Sequence, residues 1–284
     1  MTFSIVACDL EAGQLGVAVA SKFLAVGAVV PWLEAGTGAI ATQALANTRY
    51  GPDGLARLRA GASASEALAA VLAADEGRDD RQAGFVDARG AAATHTGAQC
   101  MEWAGGRAGP GSAVQGNILA GPGVVDAMAD AYEAGGGGLA ERLLLALAAG
   151  DEAGGDRRGR QSAALAVVSP GGGYGGNDDS LVDLRVDDHP DPVSELQRLY
   201  GVHVRLTGTT PEAEKLPLAG ALAAEVRELL GRAGYPSDPG DDGLQRALRA
   251  FTGTENLEAR WWLESRLDPV VLAHLRDVAA RTGA

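Results

Sequence analysis

Thr2, preceded only by the initiator Met1, is the residue at which this sequence could do chemistry. A small second residue allows Met1 to be removed, so the mature chain is expected to start at Thr2. That end would carry a hydroxyl nucleophile and, one carbon away, its own α-amine with a reference pKa of about 7.7–8.0. One residue then holds an attacking oxygen and a neutral base near working pH, which is what acyl transfer through an N-terminal threonine demands. Many ordinary chains begin Met-Thr, so the neighbours decide. Residues 3–8 (FSIVAC) and 15–21 (LGVAVAS) are apolar runs on either side of a short turn with Gly13, and they read as a hairpin. A turn centred on Glu11 and Ala12 sets Thr2 opposite Ser21 and Lys22. Directly paired residues have Cβ atoms about 4.5–5.5 Å apart. At that range the Lys22 ammonium would depress the pKa of a terminal amine and could relay the hydroxyl proton. As a solvated charge at a strand end it would do neither. Thr2, Ser21 and Lys22 are the first catalytic candidates.

Asn117 joins them by alternation. Gln115 and Asn117 in VQGNIL stand two apart on one strand and face the same side. An amide N–H aimed at a developing oxyanion is worth roughly 2.7–4 kcal/mol; the same pair could instead fix the turn toward Gly121. Gln43 and Asn47 flank a strand exit, where they line a pocket or shape the turn. The loop GGDRRGRQ sets Asp156, Arg157, Arg158, Arg160 and Gln161 beside two glycines. Arginine forks bind carboxylate or phosphate bidentately, so this loop is the candidate for holding an anionic substrate group, against the alternative of an internal salt-bridge cluster. Gln43, Asn47, Gln115 and the loop residues are the substrate-binding candidates. Ser162 follows on the next strand, facing the site or serving structure alone. Asp187, Asp188, His189 and His95 do not read as a metal site, because adjacent strand residues point to opposite faces and Asp191-Pro192 looks like a helix start. The glycine-rich run 171–176 lacks the Lys-Ser/Thr ending of a phosphate-binding loop. Cys8 and Cys100 have no metal-like spacing. Neither a metal nor a cofactor is expected.

These side chains need a framework. Residues 26–34 and 37–43 read as strands broken at Gly36. Residues 50–59 and 63–74 read as a helical pair, the second opened by a Ser63–Glu66 capping box. A hairpin over 82–87 and 91–96, a strand over 113–118, helices over 124–133 and 139–149, and strands over 161–169 and 181–187 follow, then a helix from Pro192. Antiparallel pairs with helices inserted in blocks argue for two stacked sheets covered by helices on both sides.

The stretches TFSIVACD, LGVAVASKFLAVGAVVPW, ATQALANTRYG, GFVDARG, VQGNILAG, GGDRRGRQSAALAVV and VDLRVDDHPDPV carry a family resemblance. Through them residues 2–189 resemble the bacterial family known as domain of unknown function 1028, whose members resemble N-terminal-nucleophile hydrolases. The resemblance implies an α+β fold, an αββα four-layer sandwich of two antiparallel sheets, with the N-terminal threonine on a strand facing the active site. It implies no substrate. Proteasome-type relatives place an aspartate near the end of the second strand; here that neighbourhood reads Ser21-Lys22, so their proton relay does not transfer unchanged.

Beyond GTTP at 208–211 the composition shifts to short helical segments, with a stripe of Leu218, Leu222, Val226, Leu229 and Leu230. ELLGRAGYPSDP and LQRALRAFTGTENLEARWW are similar to a small peptidoglycan-binding-like helical domain. The expected organisation is an N-terminal-nucleophile-hydrolase-like domain over 1–205 and a small all-α domain over 212–284. Trp261 and Trp262 either stack on a sugar or fill that module's core. The module reads foremost as a docking or dimerisation unit and secondarily as a glycan binder. The formal charge of −13 argues against a nucleic-acid partner. No apolar window of about 20 residues suggests a membrane span, and no basic region precedes an apolar stretch as an export signal would require. A cytoplasmic location is expected, which sits badly with cell-wall binding. Two functions from different classes follow. One is an amidohydrolase that cleaves a small carboxylate-bearing amide through an acyl-Thr2 intermediate. The other is a non-catalytic protein on the same hydrolase-like fold whose tail binds a cell-wall or other glycan ligand. Homo-oligomerisation is a further expectation for stacked sheets of this kind.

Overall fold

The first hairpin forms where its apolar runs meet. β1 (Thr2–Asp9) and β2 (Gln14–Ser21) pair antiparallel, with Phe3 opposite Ala20 and Asp9 opposite Gln14. The structure, a computed structural model, describes residues 2–260 and 265–282, so Trp261 and Trp262 lie outside the described residues. Next along the chain are β3 (Pro31–Glu34), β4 (Gly38–Ala44), α1 (Tyr50–Arg59), α2 (Ala64–Ala73), β5 (Arg81–Asp87), β6 (Ala92–Thr96), β7 (Gly105–Gly109) and β8 (Ser112–Asn117). Then come α3 (Gly123–Ala134), α4 (Leu139–Glu152), β9 (Ser162–Val168), β10 (Ser180–Val186) and α5 (Pro192–Thr207). One sheet runs β10-β9-β2-β1-β8-β7 and the other β3-β4-β5-β6, with antiparallel pairing throughout.

The two sheets face each other through alternate residues of their strands. Val6, Leu15, Val17 and Val19 of the first pack with Ala39, Ala41 and Val86 of the second in one buried cluster. The other face of the first sheet carries α3 and α4; that of the second carries α1 and α2. Missing side chains admit these helices. A Cβ on Gly16 would stand 2.5 Å from Leu143 of α4, and one on Gly51 of α1 would stand 2.1 Å from the Trp32 ring. Ser63 caps α2 with the expected capping box, its hydroxyl accepting from the Glu66 N–H while Glu66 reaches back to the Ser63 N–H.

Two elements differ from their sequence reading. Val26–Ala28 forms a 3-10 turn rather than a strand. Ser162 Oγ accepts the Val26 N–H at 3.1 Å and the Asp187 carbonyl accepts the Ala25 N–H at 2.9 Å. Both caps come from far along the chain and hold Ala25 at φ 52°. The second difference is β7, whose GGRAG sequence carries no apolar alternation. Its glycines are steric: a Cβ on Gly106 would stand 2.7 Å from Thr94 Oγ1 and 2.8 Å from the Val114 carbonyl oxygen.

The chain divides into two compact units between Leu199 and Tyr200, inside α5. In the second, α6 (Gly220–Arg232), α7 (Asp241–Thr254) and α8 (Pro269–Thr282) enclose Val226, Leu230, Leu248, Phe251, Val271 and Leu275. This unit is helical but not wholly so. β11 (Leu216–Pro217) pairs with β12 (Arg266–Leu267), bringing Leu267 into the core. Arg260 and Asp268 form an ion pair at 3.2 Å with side chains 3% and 1% exposed. Arg260 also donates to the carbonyls of Val204 and Arg205 at the end of α5 and to Thr210 Oγ1, so the buried cation is fully committed to ending that helix.

Candidate functional site

The layer between the sheets changes character along its length. Following each strand from the dry cluster, the alternation that buries Val6, Ala113, Ala41 and Val86 continues to Ser4 and Thr2 on β1. It continues likewise to Gln115 and Asn117 on β8, to Gln43 on β4 and to Gln82 on β5. All of these polar residues are buried. They satisfy one another across the gap, as buried polar groups must. Ser4 Oγ donates to Gln43 Oε1 at 2.7 Å and accepts from Gln115 Nε2 at 2.7 Å, while Thr94 Oγ1 donates to Gln115 Oε1 at 3.3 Å.

Gln82 governs the orientation of this ladder, and nothing in its strand sequence marks it out. Its Nε2 donates to the carbonyls of Gly116 at 2.7 Å and Gly105 at 3.2 Å, and to Thr96 Oγ1 at 2.9 Å. Carbonyl oxygens only accept, so the amide nitrogen must face them and Oε1 must face the other way. Gln43 and Asn117 then have no choice but to present nitrogen to it. Gln43 Nε2 donates to Gln82 Oε1 at 2.8 Å and Asn117 Nδ2 does so at 2.9 Å. Gln43 Nε2 also donates to the Thr2 carbonyl at 3.2 Å and so holds the backbone of the candidate nucleophile.

Thr2, Gln43 and Asn117 open onto a cavity of about 810 Å³. Thr2 is directly opposite Asn117 in the β1–β8 pair. Thr2 Oγ1 lies 3.1 Å from Ser21 Oγ, and both side chains are buried. Val26, Val29, Val30, Leu45, Met101 and Ile118 give the cavity apolar walls, with Arg158, Arg81 and Asp80 among its lining. Cys100 lines it too; burial pushes its thiol pKa up, which keeps it protonated and weakly nucleophilic. Among the described residues, three of the four non-glycine residues in the left-handed region lie here: Ala25 precedes the wall residue Val26, while Ala44 (φ 70°) and Ile118 (φ 50°) are themselves lining. For a β-branched residue such as Ile118 that conformation is an outlier, and strain of this kind gathers at functional sites. Arg81 braces the same wall: its guanidinium donates to Asp75 at 3.0 Å and to the Leu45 carbonyl. Hydrogen bonds from Asn47, Arg81, the Gly77 N–H and Tyr50 hold the Asp75 carboxyl well below the usual carboxylate range.

The sequence candidates separate into groups. Thr2, Ser21, Asn117 and Gln43 come together, with Gln115 one step behind in the ladder. Arg158 reaches the cavity, its Nη2 3.3 Å from Asp156 Oδ2. The buried Asp156 is used structurally, accepting the N–H groups of Lys22 at 2.7 Å and Arg158 at 2.8 Å. Lys22 is exposed and outside the lining, its Nζ donating to the Arg160 carbonyl at 3.3 Å. The chain turns at Ser21 onto Asp156, and that sends the lysine outward. Arg157 is exposed, and its N–H bonds the Ile118 carbonyl at 3.3 Å. Arg160 pairs with Asp151 at 2.8 Å, and Gln161 donates to Asp188 at 3.2 Å. Asn47 donates to Asp75 at 2.9 Å, beside the wall rather than in it. Ser162 is buried and spent on the Val26 N–H and the Phe23 carbonyl. His95 contacts the Arg78 carbonyl at 3.0 Å, and His189 Nδ1 accepts the Asp191 N–H at 3.0 Å. No helix among the described residues is long and apolar enough to cross a membrane.

Comparison with known proteins adds to this geometry. The model of a family described as "Family of unknown function (DUF1028)" matches residues 2–196. A second, described as "Putative peptidoglycan binding domain", matches residues 209–275. Among solved structures, the chain is similar to the crystal structure of protein SPO2555 from Silicibacter pomeroyi, itself marked with DUF1028. The identity is 32%, over 79% of this chain and 92% of that chain, with a TM-score of 0.65. Among curated proteins nothing matches.

Proposed function

The chain belongs to the family of unknown function DUF1028, and from that footing we propose that it is an N-terminal-nucleophile amidohydrolase whose paired sheets and covering helices form the αββα sandwich of that superfamily. The observation supporting this most directly is the setting of Thr2. Its hydroxyl lies 3.1 Å from a second hydroxyl, and the buried residue lines a cavity on a strand clamped by buried amides. With Met1 removed, the Thr2 amine takes the Oγ1 proton, directly or through Ser21 Oγ. Oγ1 attacks the amide carbonyl carbon, and the negative charge collects on the carbonyl oxygen. The Asn117 amide is the side-chain donor for that oxyanion. Collapse breaks the C–N bond, the amine returns its proton to the leaving nitrogen, and an acyl ester remains on Thr2. Water, deprotonated by the same amine, then attacks the ester carbonyl; the acyl–Oγ1 bond breaks, the ammonium returns its proton to Oγ1, and the acid leaves. Ser21 takes the supporting part first expected of Lys22, and Arg158 is the member of the arginine loop suited to a substrate carboxylate.

The test is the intact mass of untagged protein before and after incubation with a β-lactone acylating agent. A chain lacking Met1, with one adduct mapping to Thr2, is expected. Retention of Met1, or an adduct on Cys100 in place of Thr2, refutes the mechanism.

A second reading, a glycan-binding protein without catalysis, is favoured by the match over residues 209–275. Cosedimentation with purified peptidoglycan tests it. Binding that persists in Thr2→Ala, with no Thr2 adduct in the native chain, would support that reading over the first.

A further inference from the structure

Among the described residues, three exposed large apolar side chains line this cavity. Phe23, Leu45 and Met101 are 53%, 66% and 66% exposed, yet all three line it. They are not loosely held. The Phe23 carbonyl accepts from Ser162 Oγ, the Leu45 carbonyl from Arg81, and the Met101 carbonyl from the Ile118 N–H at 2.8 Å. Left-handed Ala44 turns Leu45 out of its strand, and left-handed Ile118 makes the bond to Met101. The fold thus holds three backbones still while presenting apolar groups to water, which is costly unless something covers them.

Resting on the amidohydrolase reading, we infer that the substrate is an amphipathic amide: an anionic group on the Arg158 side and an extended apolar group against Phe23, Leu45 and Met101. The volume agrees. About 810 Å³ lies toward the upper end of the range for drug-sized ligands, and an acetyl group would leave most of the apolar wall wet. Both arginines of the lining are ion-paired, Arg81 with Asp75 and Arg158 with Asp156, but the Arg158 side chain is 45% exposed against 21% for Arg81, so it is the one that can reach a ligand; among the described residues of the lining Asp80 is the one carboxylate. A partner protein fits less well, because the three side chains line the same cavity as the buried Thr2.

The test titrates N-acylglycines, from acetyl to decanoyl, into full-length Thr2→Ala protein by calorimetry, so that binding is read without turnover. Affinity should rise roughly threefold to fourfold per methylene until the wall is covered. Leu45→Ser combined with Met101→Ser should flatten that dependence and leave the short members unchanged, while Arg158→Gln weakens every member alike. A flat series in Thr2→Ala overturns the inference. So does sedimentation showing that the lip is buried between two copies, with Met101→Ser giving monomers. The two readings fail separately: a flat series with a native Thr2 adduct removes only the substrate class. A steep series without an adduct removes the hydrolase, and with it the claim that the bound amide is a substrate.

Discussion

Replacing Gln82 tests the logic of the buried amide ladder. In Gln82→Met the volume is nearly kept, but the groups that faced the amide are abandoned. Gln43 Nε2 retains the Thr2 and Gln115 carbonyls at 3.2 and 3.4 Å, so it is not orphaned. Asn117 Nδ2 loses Gln82 Oε1, and the Gly116 carbonyl loses its 2.7 Å donor. At about 1–3 kcal/mol for each of these two buried groups left unpaired, the change should cost about 2–6 kcal/mol. For a domain of this size that lowers the melting temperature by roughly 4–24 °C. The Asn117 amide is also free to turn, so β-lactone labelling of Thr2 should slow by up to about 10²–10³-fold, the worth of one oxyanion donor. Gln82→Glu sharpens the argument through pH. A neutral carboxyl can donate to the Gly116 carbonyl and still accept from Asn117 and Gln43; a carboxylate sets two acceptors face to face. Burial raises the folded pKa above the unfolded value of about 4.3, so the variant is most stable below that value. It then loses about 1.4 kcal/mol per pH unit as pH rises toward the folded pKa. Melting and labelling from pH 4 to 8 read both effects. A Gln82→Met protein that melts and labels like the native chain, or a Gln82→Glu protein indifferent to pH, refutes the reasoning.

Other outcomes follow from the same geometry. Asp75→Ala strips Arg81, Tyr50 and Asn47 of a shared acceptor and should destabilise by about 2–4 kcal/mol in thermal melts. Since the native Asp75 pKa is lowered, its contribution is full above the unfolded value of about 3.9 and is lost as pH falls through the folded one. The gap between native and variant melting should therefore narrow in acid; a constant gap counts against the assignment. Ala44→Gly relieves a left-handed alanine and should raise stability by about 0.5–1 kcal/mol by urea denaturation; a loss would show that the Ala44 methyl matters more than its backbone. Gly51→Ala drives a methyl onto the Trp32 ring and should cost about 1–3 kcal/mol or more, read in the same urea experiment.

The parts of the site legible in the sequence are those fixed by short-range constraints. A turn of known length between two continuous apolar runs sets the hairpin register, and from it Thr2 falls opposite Ser21. Two-residue alternation puts Gln115 and Asn117 on one face without further information. The rest depends on contacts across the fold. Gln82 looks like a polar residue at a strand start, and its importance exists only because β5 stacks over β8. β7 has no apolar signal because its glycines answer to Thr94 and Trp103. Residues 26–28 have strand composition and bend because, from far along the chain, Ser162 Oγ catches the Val26 N–H and the Asp187 carbonyl catches that of Ala25 just before it. Lys22 sat at the right register, yet the backbone turns there to bond Asp156 and carries its charge away from the cavity.

The site is assembled from two kinds of chain. Thr2, Gln43, Gln82 and Asn117 sit buried on paired strands, whereas Phe23 and Leu45 sit just beyond strand ends and Met101 in the loop between β6 and β7. Substitution in a strand disturbs neighbours on both sheets at once. Substitution at the lip disturbs one side chain on a backbone already pinned by its own hydrogen bonds. Drift in the lip residues can therefore alter ligand preference over generations while the inner amides stay as they are, and a laboratory library confined to positions 23, 45 and 101 would explore preference with little loss of folded protein.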